Sequence, residues 1–204
     1  RPLLEQYTAY RPGRVGRICR GYEALDVLVQ GLIRAAERPE VEPPLDPDMV
    51  PYVPTPARVV LDMLDQTHLT AQDVFYDLGS GLGHVVILVH LLTGAAGRGV
   101  EIAGPYWRQA QRCAAELGLS AVSFLHRDAR QVDYHDGSLF FLYTPFMGAI
   151  LEAVLASLAR VARDHRIVLC TYGACTFEVL KQPWLRLRHP EAEHAYALAV
   201  FDSQ

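Results

Sequence analysis

The spacing of apolar and polar residues changes several times along the chain, and each change marks an element. Across residues 22–38, Leu25, Leu28, Val29, Leu32, Ile33 and Ala36 recur at helical spacing with Gln30, Arg34, Glu37 and Arg38 between them. This predicts an amphipathic helix lying on a larger body. Pro39 ends the pattern, and Pro43, Pro44, Pro47, Pro51, Pro54 and Pro56 crowd a stretch that can be neither helix nor central strand, so an extended connector is expected. Thr55-Pro56 then reads as a helix start, with a hydroxyl to cap free N–H groups and proline at the first helical position. Val59, Val60, Met63 and Leu64 supply that helix with a buried stripe.

From Asp73 onward two periods alternate. Short apolar runs, rich in β-branched and aromatic residues, predict strands at 74–78, 98–102, 121–125, 138–143 and 166–171. Helical patterns at 83–93, 105–117 and 147–163 lie between most of them. That alternation predicts an α/β fold: a doubly wound, mostly parallel sheet with helices on both faces, three layers in all. A helix around 174–181, a run near 184–188, a His-Pro-Glu-Ala-Glu turn and the run Tyr196–Phe201 follow. Two late strands joined directly by a turn must be antiparallel, because a parallel pair needs a long crossover.

A chain of 204 residues, half of them apolar, suits one domain with a small appendage. The expected division is 1–50 as an N-terminal helical extension with its Pro-rich connector, and 51–204 as the main domain. A formal net charge of −4 provides no field to draw in a polyanion, so nucleic acid is not the expected partner. Cys19, Cys113, Cys170 and Cys175 form no C-x-x-C pair and read as reduced thiols, which points to the cytoplasm. Neither a secretory leader nor a run of 18 apolar residues is visible, so no membrane span is expected. The histidines show no ligand-like spacing, and a metal is not expected. Arg11, Arg14, Arg17 and Arg20 recur every three residues, but Gly13 and Gly16 interrupt any helix there, and a solvated surface is the reading.

The chemistry concentrates after the first strand. Val74–Leu78 runs into Gly79-Ser80-Gly81-Leu82-Gly83 and then into an apolar helix that opens at His84. Glycines allow a sharp turn and a close ligand approach, and the helix amino terminus favours an electron-rich ligand group. Twenty residues after Gly81, at the end of the second strand, Glu101 is placed to accept hydrogen bonds from the ribose hydroxyls of an adenosine-type cofactor. Dinucleotide loops carry G-x-G-x-x-G, whereas here the third glycine falls one residue earlier. A cofactor with an aminoacyl group and no pyrophosphate fits better, and Asp77, just before the loop, suits an ammonium.

Asp77-Leu-Gly-Ser-Gly-Leu-Gly83 with Gly99-Val-Glu101 resembles motif I and the following acidic strand end of class I S-adenosylmethionine-dependent methyltransferases. The resemblance covers roughly 52–201 and implies a seven-stranded sheet ending in an antiparallel hairpin. It implies that Asp77, Gly79, Ser80, Gly81 and Gly83 hold the methionine part, that Glu101 holds the ribose, and that Asp128 with Ala129 faces the adenine. The alternative is that Asp128 simply caps the turn that follows it. The fourth strand ends in Tyr143-Thr144-Pro145-Phe146, where such enzymes face the transferring methyl; Tyr143 and Thr144 are the expected catalytic residues, and Tyr143 also touches the cofactor. In the connector, Tyr52 and Thr55 are expected to fold over the cofactor as part of a lid. Should a protonated amine be the acceptor, Tyr143, Tyr52 and His84 are the groups by location that could take its proton.

Pro51–Pro56 together with 74–86 is similar to the telomeric-silencing type of histone lysine methyltransferases and to bacterial protein-lysine methyltransferases. At the fourth strand that group carries an Asn-Asn-Phe-type sequence where this chain has Thr144-Pro145-Phe146. The expectation is methyl transfer to an acceptor that is a protein lysine or a small molecule. The alternatives are a cofactor-binding module without turnover and, disfavoured by the glycine spacing, a nicotinamide-dependent oxidoreductase.

Overall fold

The protein is described from a computed structural model, which covers residues 24–32, 39, 46–190 and 195–204. The early helix is seen as α1, Ala24–Leu32; the remainder of the expected 22–38 helix, Pro43, Pro44, the arginines at 11–20, Cys19 and Glu191–His194 lie outside the described residues. After the connector come α2 (Ala57–Thr67), β1 (Val74–Leu78), α3 (His84–Thr93), β2 (Ala96–Glu101), α4 (Gly104–Glu116) and β3 (Val122–His126). A single 3-10 turn, Ala129–Gln131, precedes β4 (Leu139–Leu142). The chain closes with α5 (Gly148–Asp164), β5 (Val168–Thr171), a one-turn α6 (Thr176–Val179), β6 (Leu185–Leu187) and β7 (Ala199–Ser203).

The strands form one seven-stranded sheet in the order β3-β2-β1-β4-β5-β7-β6, parallel except for β7, which runs against both β5 and β6. The expected doubly wound α/β sheet with an antiparallel end is therefore the observed one. Successive strand residues point to opposite faces, and here both faces are buried. Phe75, Phe141, Cys170 and Val200 face a core shared with α1, α2, α3 and α4, whereas Tyr76, Phe140, Leu169 and Phe201 face a second core shared with α5. Leu25 and Val29 of α1 sit inside the first core, so this helix packs as part of the body.

One helix start differs from expectation. α2 begins at Ala57 with Pro56 at the cap position, and no side chain of the local sequence caps it. The Ala57 N–H donates instead to Asp26 Oδ1 of α1 at 2.6 Å. The need for a cap is local, since the first turn of any helix leaves N–H groups unmet, but any carboxylate that arrives through space can meet it.

Candidate functional site

β1 lies between β2 and β4, the point where the sheet's winding reverses, and a crevice forms beyond the strand ends there. A cavity of about 660 Å³ occupies it, within the range of small-molecule sites. Its walls come from the connector (Met49–Val53 and Thr55), the β1 end (Asp77, Gly79, Ser80, His84), the β2 end (Glu101–Tyr106), the β3 end (Arg127–Ala129) and the β4 end (Tyr143–Phe146). Of the residues expected from sequence, Tyr52, Thr55, Asp77, Gly79, Ser80, Glu101, Asp128, Ala129, Tyr143 and Thr144 meet around this cavity; Gly81 and Gly83 do not line it.

The glycines explain that difference. Gly79, Gly81 and Gly83 all have positive φ, at 81°, 53° and 78°, so the turn does require them. What presses on them is protein. A Cβ would fall 2.2 Å from Pro145 at Gly79, 2.1 Å from the Tyr52 ring at Gly81, and 2.4 Å from Phe124 at Gly83. The loop is thus closely covered by the connector and the β4 end on one side and by β3 on the other. The expected close approach is made by neighbouring side chains as much as by any ligand.

Hydrogen bonds within the loop hold its shape. The N–H groups of Gly79 and Ser80 both donate to the Val100 carbonyl at 2.9 Å, and Gly83 N–H donates to Ser80 O at 2.8 Å. Glu101, 8% exposed, accepts from Gly81 N–H through Oε2 and from Ala103 N–H through Oε1, both at 2.7 Å. Each carboxylate oxygen keeps a further lone pair for a ligand hydroxyl. Burial raises the Glu101 pKa, and the N–H donors pull against that rise. Asp77, on the adjacent strand, is 4% exposed and its pKa is pushed up to about 8, first by burial and then by the negative charge of Glu101. Two carboxylates in one buried site create a demand for positive charge.

Tyr52 and His84 form a second arrangement. His84 Nε2 lies 3.1 Å from the Thr55 carbonyl oxygen, which can only accept, so the proton sits on Nε2. Nδ1 is then free to accept from the Tyr52 hydroxyl at 3.5 Å. Burial lowers the His84 pKa and keeps the ring neutral. Tyr52 also packs on Tyr106, with ring centroids 5.1 Å apart. Asp128 lines the cavity, and its Oδ1 caps the following turn, one of the two readings given for it, by accepting from Arg130 N–H at 2.9 Å. The Arg130 guanidinium, bonded to both Asp128 oxygens, holds that carboxyl below its ordinary range.

At the β4 end, Tyr143 lies against Tyr172 with centroids 4.9 Å apart, and burial raises its phenol pKa. Thr144 has φ +38°, a conformation strained for a β-branched residue. Its Oγ1 lies 3.3 Å from the Tyr172 carbonyl and accepts from Cys175 N–H at 3.3 Å, so the hydroxyl is engaged with the turn after β5. Ile102, Tyr106 and Arg127 line the cavity without having been singled out from sequence. Ile102 follows Glu101 directly and is 39% exposed although apolar, a pairing that could have drawn notice. Its carbonyl accepts from His126 Nε2 at 3.0 Å, and His126 stacks on Trp107.

Among the described residues no cluster of His, Cys, Asp or Glu could hold a metal, and no helix is long and apolar enough to cross a membrane.

Comparison with known proteins gives three kinds of match. The family model "Histone methylation protein DOT1" matches residues 51–141. A protein-lysine N-methyltransferase of Saccharolobus islandicus (strain REY15A) is 50% identical over 38 residues, which is 19% of this chain and 24% of that relative's length. Among solved structures, an RNA methyltransferase from Salinibacter ruber in complex with S-adenosyl-L-homocysteine aligns with a TM-score of 0.54 at 25% identity, covering 74% of this chain and 92% of that one. The PH0226 protein from Pyrococcus horikoshii OT3 aligns with a TM-score of 0.56 at 16% identity over 70% of this chain and 86% of that one, a likeness of fold alone. The strand order, the glycine turn and the solved-structure matches give the chain the Rossmann-like fold of class I S-adenosylmethionine-dependent methyltransferases, and over residues 51–141 it is similar to the histone-methylation family.

Proposed function

We propose that this chain transfers a methyl group from S-adenosylmethionine to an amine nitrogen, with the side chain of a protein lysine as acceptor. The observation that carries the cofactor's placement is the pair of buried carboxylates, Asp77 and Glu101, on adjacent strand ends around one glycine turn. Asp77 suits the ligand's ammonium, and Glu101, with lone pairs left beyond its two backbone donors, suits the ribose hydroxyls. Asp128 and Ala129 border the adenine end, and Tyr52 and Thr55 close the cavity from above. When bound, S-adenosylmethionine supplies an electrophilic methyl on a sulfonium sulfur. Displacement in line with the leaving sulfur depends mainly on alignment, so the chain's task is to hold the acceptor nitrogen on that line. Tyr143, at the cavity's β4 edge, is the hydroxyl placed to orient it; Thr144 shapes the backbone next to it.

Lysine is favoured because the family match and the archaeal relative both carry protein methylation in their names. The family match begins at residue 51, which supports a methyltransferase domain at 51–204 preceded by an extension at 1–50. Cys113, Cys170 and Cys175 are all buried free thiols, which supports a cytoplasmic protein, and the formal net charge of −4 supports a partner other than nucleic acid. A small-molecule acceptor is the second reading, favoured by the apolar wall that Met49, Phe146 and Ile150 contribute. Titration calorimetry with S-adenosylmethionine and S-adenosylhomocysteine tests the cofactor site, and absence of binding by both ends the proposal. Tritiated methyl transfer in a lysate then separates acceptors. Acid-stable label on protein lysine supports the first reading, label confined to the small-molecule fraction supports the second, and no transfer by a protein that binds the cofactor leaves a module without turnover.

A further inference from the structure

The connector does more than cover the cavity; it is fastened to the β4 end at successive points. Val50 N–H donates to the Pro145 carbonyl at 3.0 Å, Met49 pairs with Phe146 in an antiparallel bridge, and Met147 N–H donates to the Asp48 carbonyl at 2.8 Å. The fastening ends on a carboxylate. Asp48 Oδ2 accepts from Ala149 N–H at 2.9 Å in the first turn of α5, a helix that no local side chain caps. The same carboxylate sits over Gly148, whose φ is +52°, so closely that a Cβ there would fall 2.4 Å from Oδ2. The Asp48 backbone is itself held, its N–H donating to Asp46 Oδ1 at 2.9 Å. Four residues further on, Tyr52 presses on Gly81 and reaches His84.

We propose that Asp48 is a positioning residue that joins two parts of the site. By capping α5 through space it locks the turn Phe146–Gly148, whose Phe146 lines the cavity at its β4 end, to the connector that carries Tyr52 and Thr55 over the cofactor. Cofactor capture and acceptor-wall geometry are thereby ordered as one unit. Asp48 does not itself line the cavity, so its effect on ligand binding passes through the connector and the Phe146–Gly148 turn that it fastens together. The inference rests on the cofactor placement proposed above.

The test is calorimetric titration of the full chain with S-adenosylhomocysteine, combined with hydrogen exchange of residues 46–53. Asp48→Ala is expected to weaken binding about tenfold, the ratio that loss of a helix cap of ordinary strength supplies when it is felt entirely in the ligand-competent state. It should also speed exchange at Val50. Asp48→Asn keeps an acceptor oxygen for Ala149 N–H and should recover binding to within about threefold of the parent. Val50→Pro deletes the neighbouring fastening bond by another route and should weaken binding in the same direction, which keeps the test open if Asp48→Ala does not fold. Val161→Ala loosens the far end of the same helix and should leave affinity unchanged.

Equal affinity of Asp48→Ala or Val50→Pro and the parent overturns the proposal. So does an equal loss in Asp48→Asn or Val161→Ala, which would mark general instability. A parent chain that binds no S-adenosylhomocysteine strikes the cofactor placement instead, and so separates the two failures.

Discussion

If Asp77 receives the ligand's ammonium, cofactor affinity must depend on pH in a defined direction. In the ligand-free site the Asp77 pKa stands at about 8 against an ordinary 3.8, raised by burial and by Glu101. At about 1.4 kcal/mol per pH unit, ionising Asp77 at pH 7, one unit below that pKa, costs only about 1.4 kcal/mol, which an adjoining ammonium offsets. Below about pH 8 the carboxyl therefore carries a proton that must leave when the ammonium docks. Affinity should rise by up to about tenfold per pH unit from roughly 6 to roughly 8, then level, and fall once the ligand's own α-amino group loses its charge. Calorimetry with S-adenosylhomocysteine in two buffers of different ionisation enthalpy, near pH 7, should register close to one proton released per ligand bound.

Asp77→Asn has no proton to release, and should bind weakly with a flat profile below pH 8. The stability of the empty protein follows with its own sign. The unfolded chain loses this proton above about pH 4 while the folded one keeps it to about 8, so the folded state binds more protons in that window and stability falls as pH rises through it. Asp77→Asn should remove that decline and melt higher than the parent at pH 8. A flat affinity profile in the parent, with no proton released, would refute the assignment of the ammonium to Asp77.

Three further outcomes are expected. Glu101→Ala strands the N–H groups of Gly81 and Ala103, at about 1–3 kcal/mol for each buried donor left unmet, and should lower the melting temperature as well as abolish cofactor binding; Glu101→Gln keeps one acceptor oxygen and should recover stability more than affinity. Gly81→Ala puts a Cβ into the Tyr52 ring at positive φ and should weaken S-adenosylhomocysteine binding, and if that contact is the cause, Tyr52→Ala in the same chain should relieve part of the thermal destabilisation, read by scanning calorimetry. Asp26→Ala removes the cap of α2 and should cost about 1 kcal/mol, a fall of roughly 2–4 °C in melting temperature for a chain of this size, with affinity much less affected than in Glu101→Ala.

Much of this molecule was legible from the order of its residues. The alternation from Asp73 onward foretold the sheet, with β1 matched at both ends, β2 to β6 within about two residues and β7 starting three residues later than expected, because burial on both faces forces apolar runs and the crossover helices impose their own period. The glycines at 79, 81 and 83 announced a sharp turn and the spacing announced a carboxylate, Glu101, at the neighbouring strand end, because both are properties of a short, nearly local β-α-β unit; that Glu101 also takes the Gly81 N–H is seen only in the structure. The tertiary structure alone decided what lies against these features. That Tyr52, Pro145 and Phe124 cover the glycines, that Asp26 and Asp48 cap α2 and α5 across gaps of 31 and 101 residues, and that the Thr144 hydroxyl turns toward Cys175 are outcomes of where the connector crosses the sheet. Periodicity and turn chemistry record each segment's own demand for burial or for a cap. Which distant group meets that demand depends on the packed path of the chain, and no local pattern carries it.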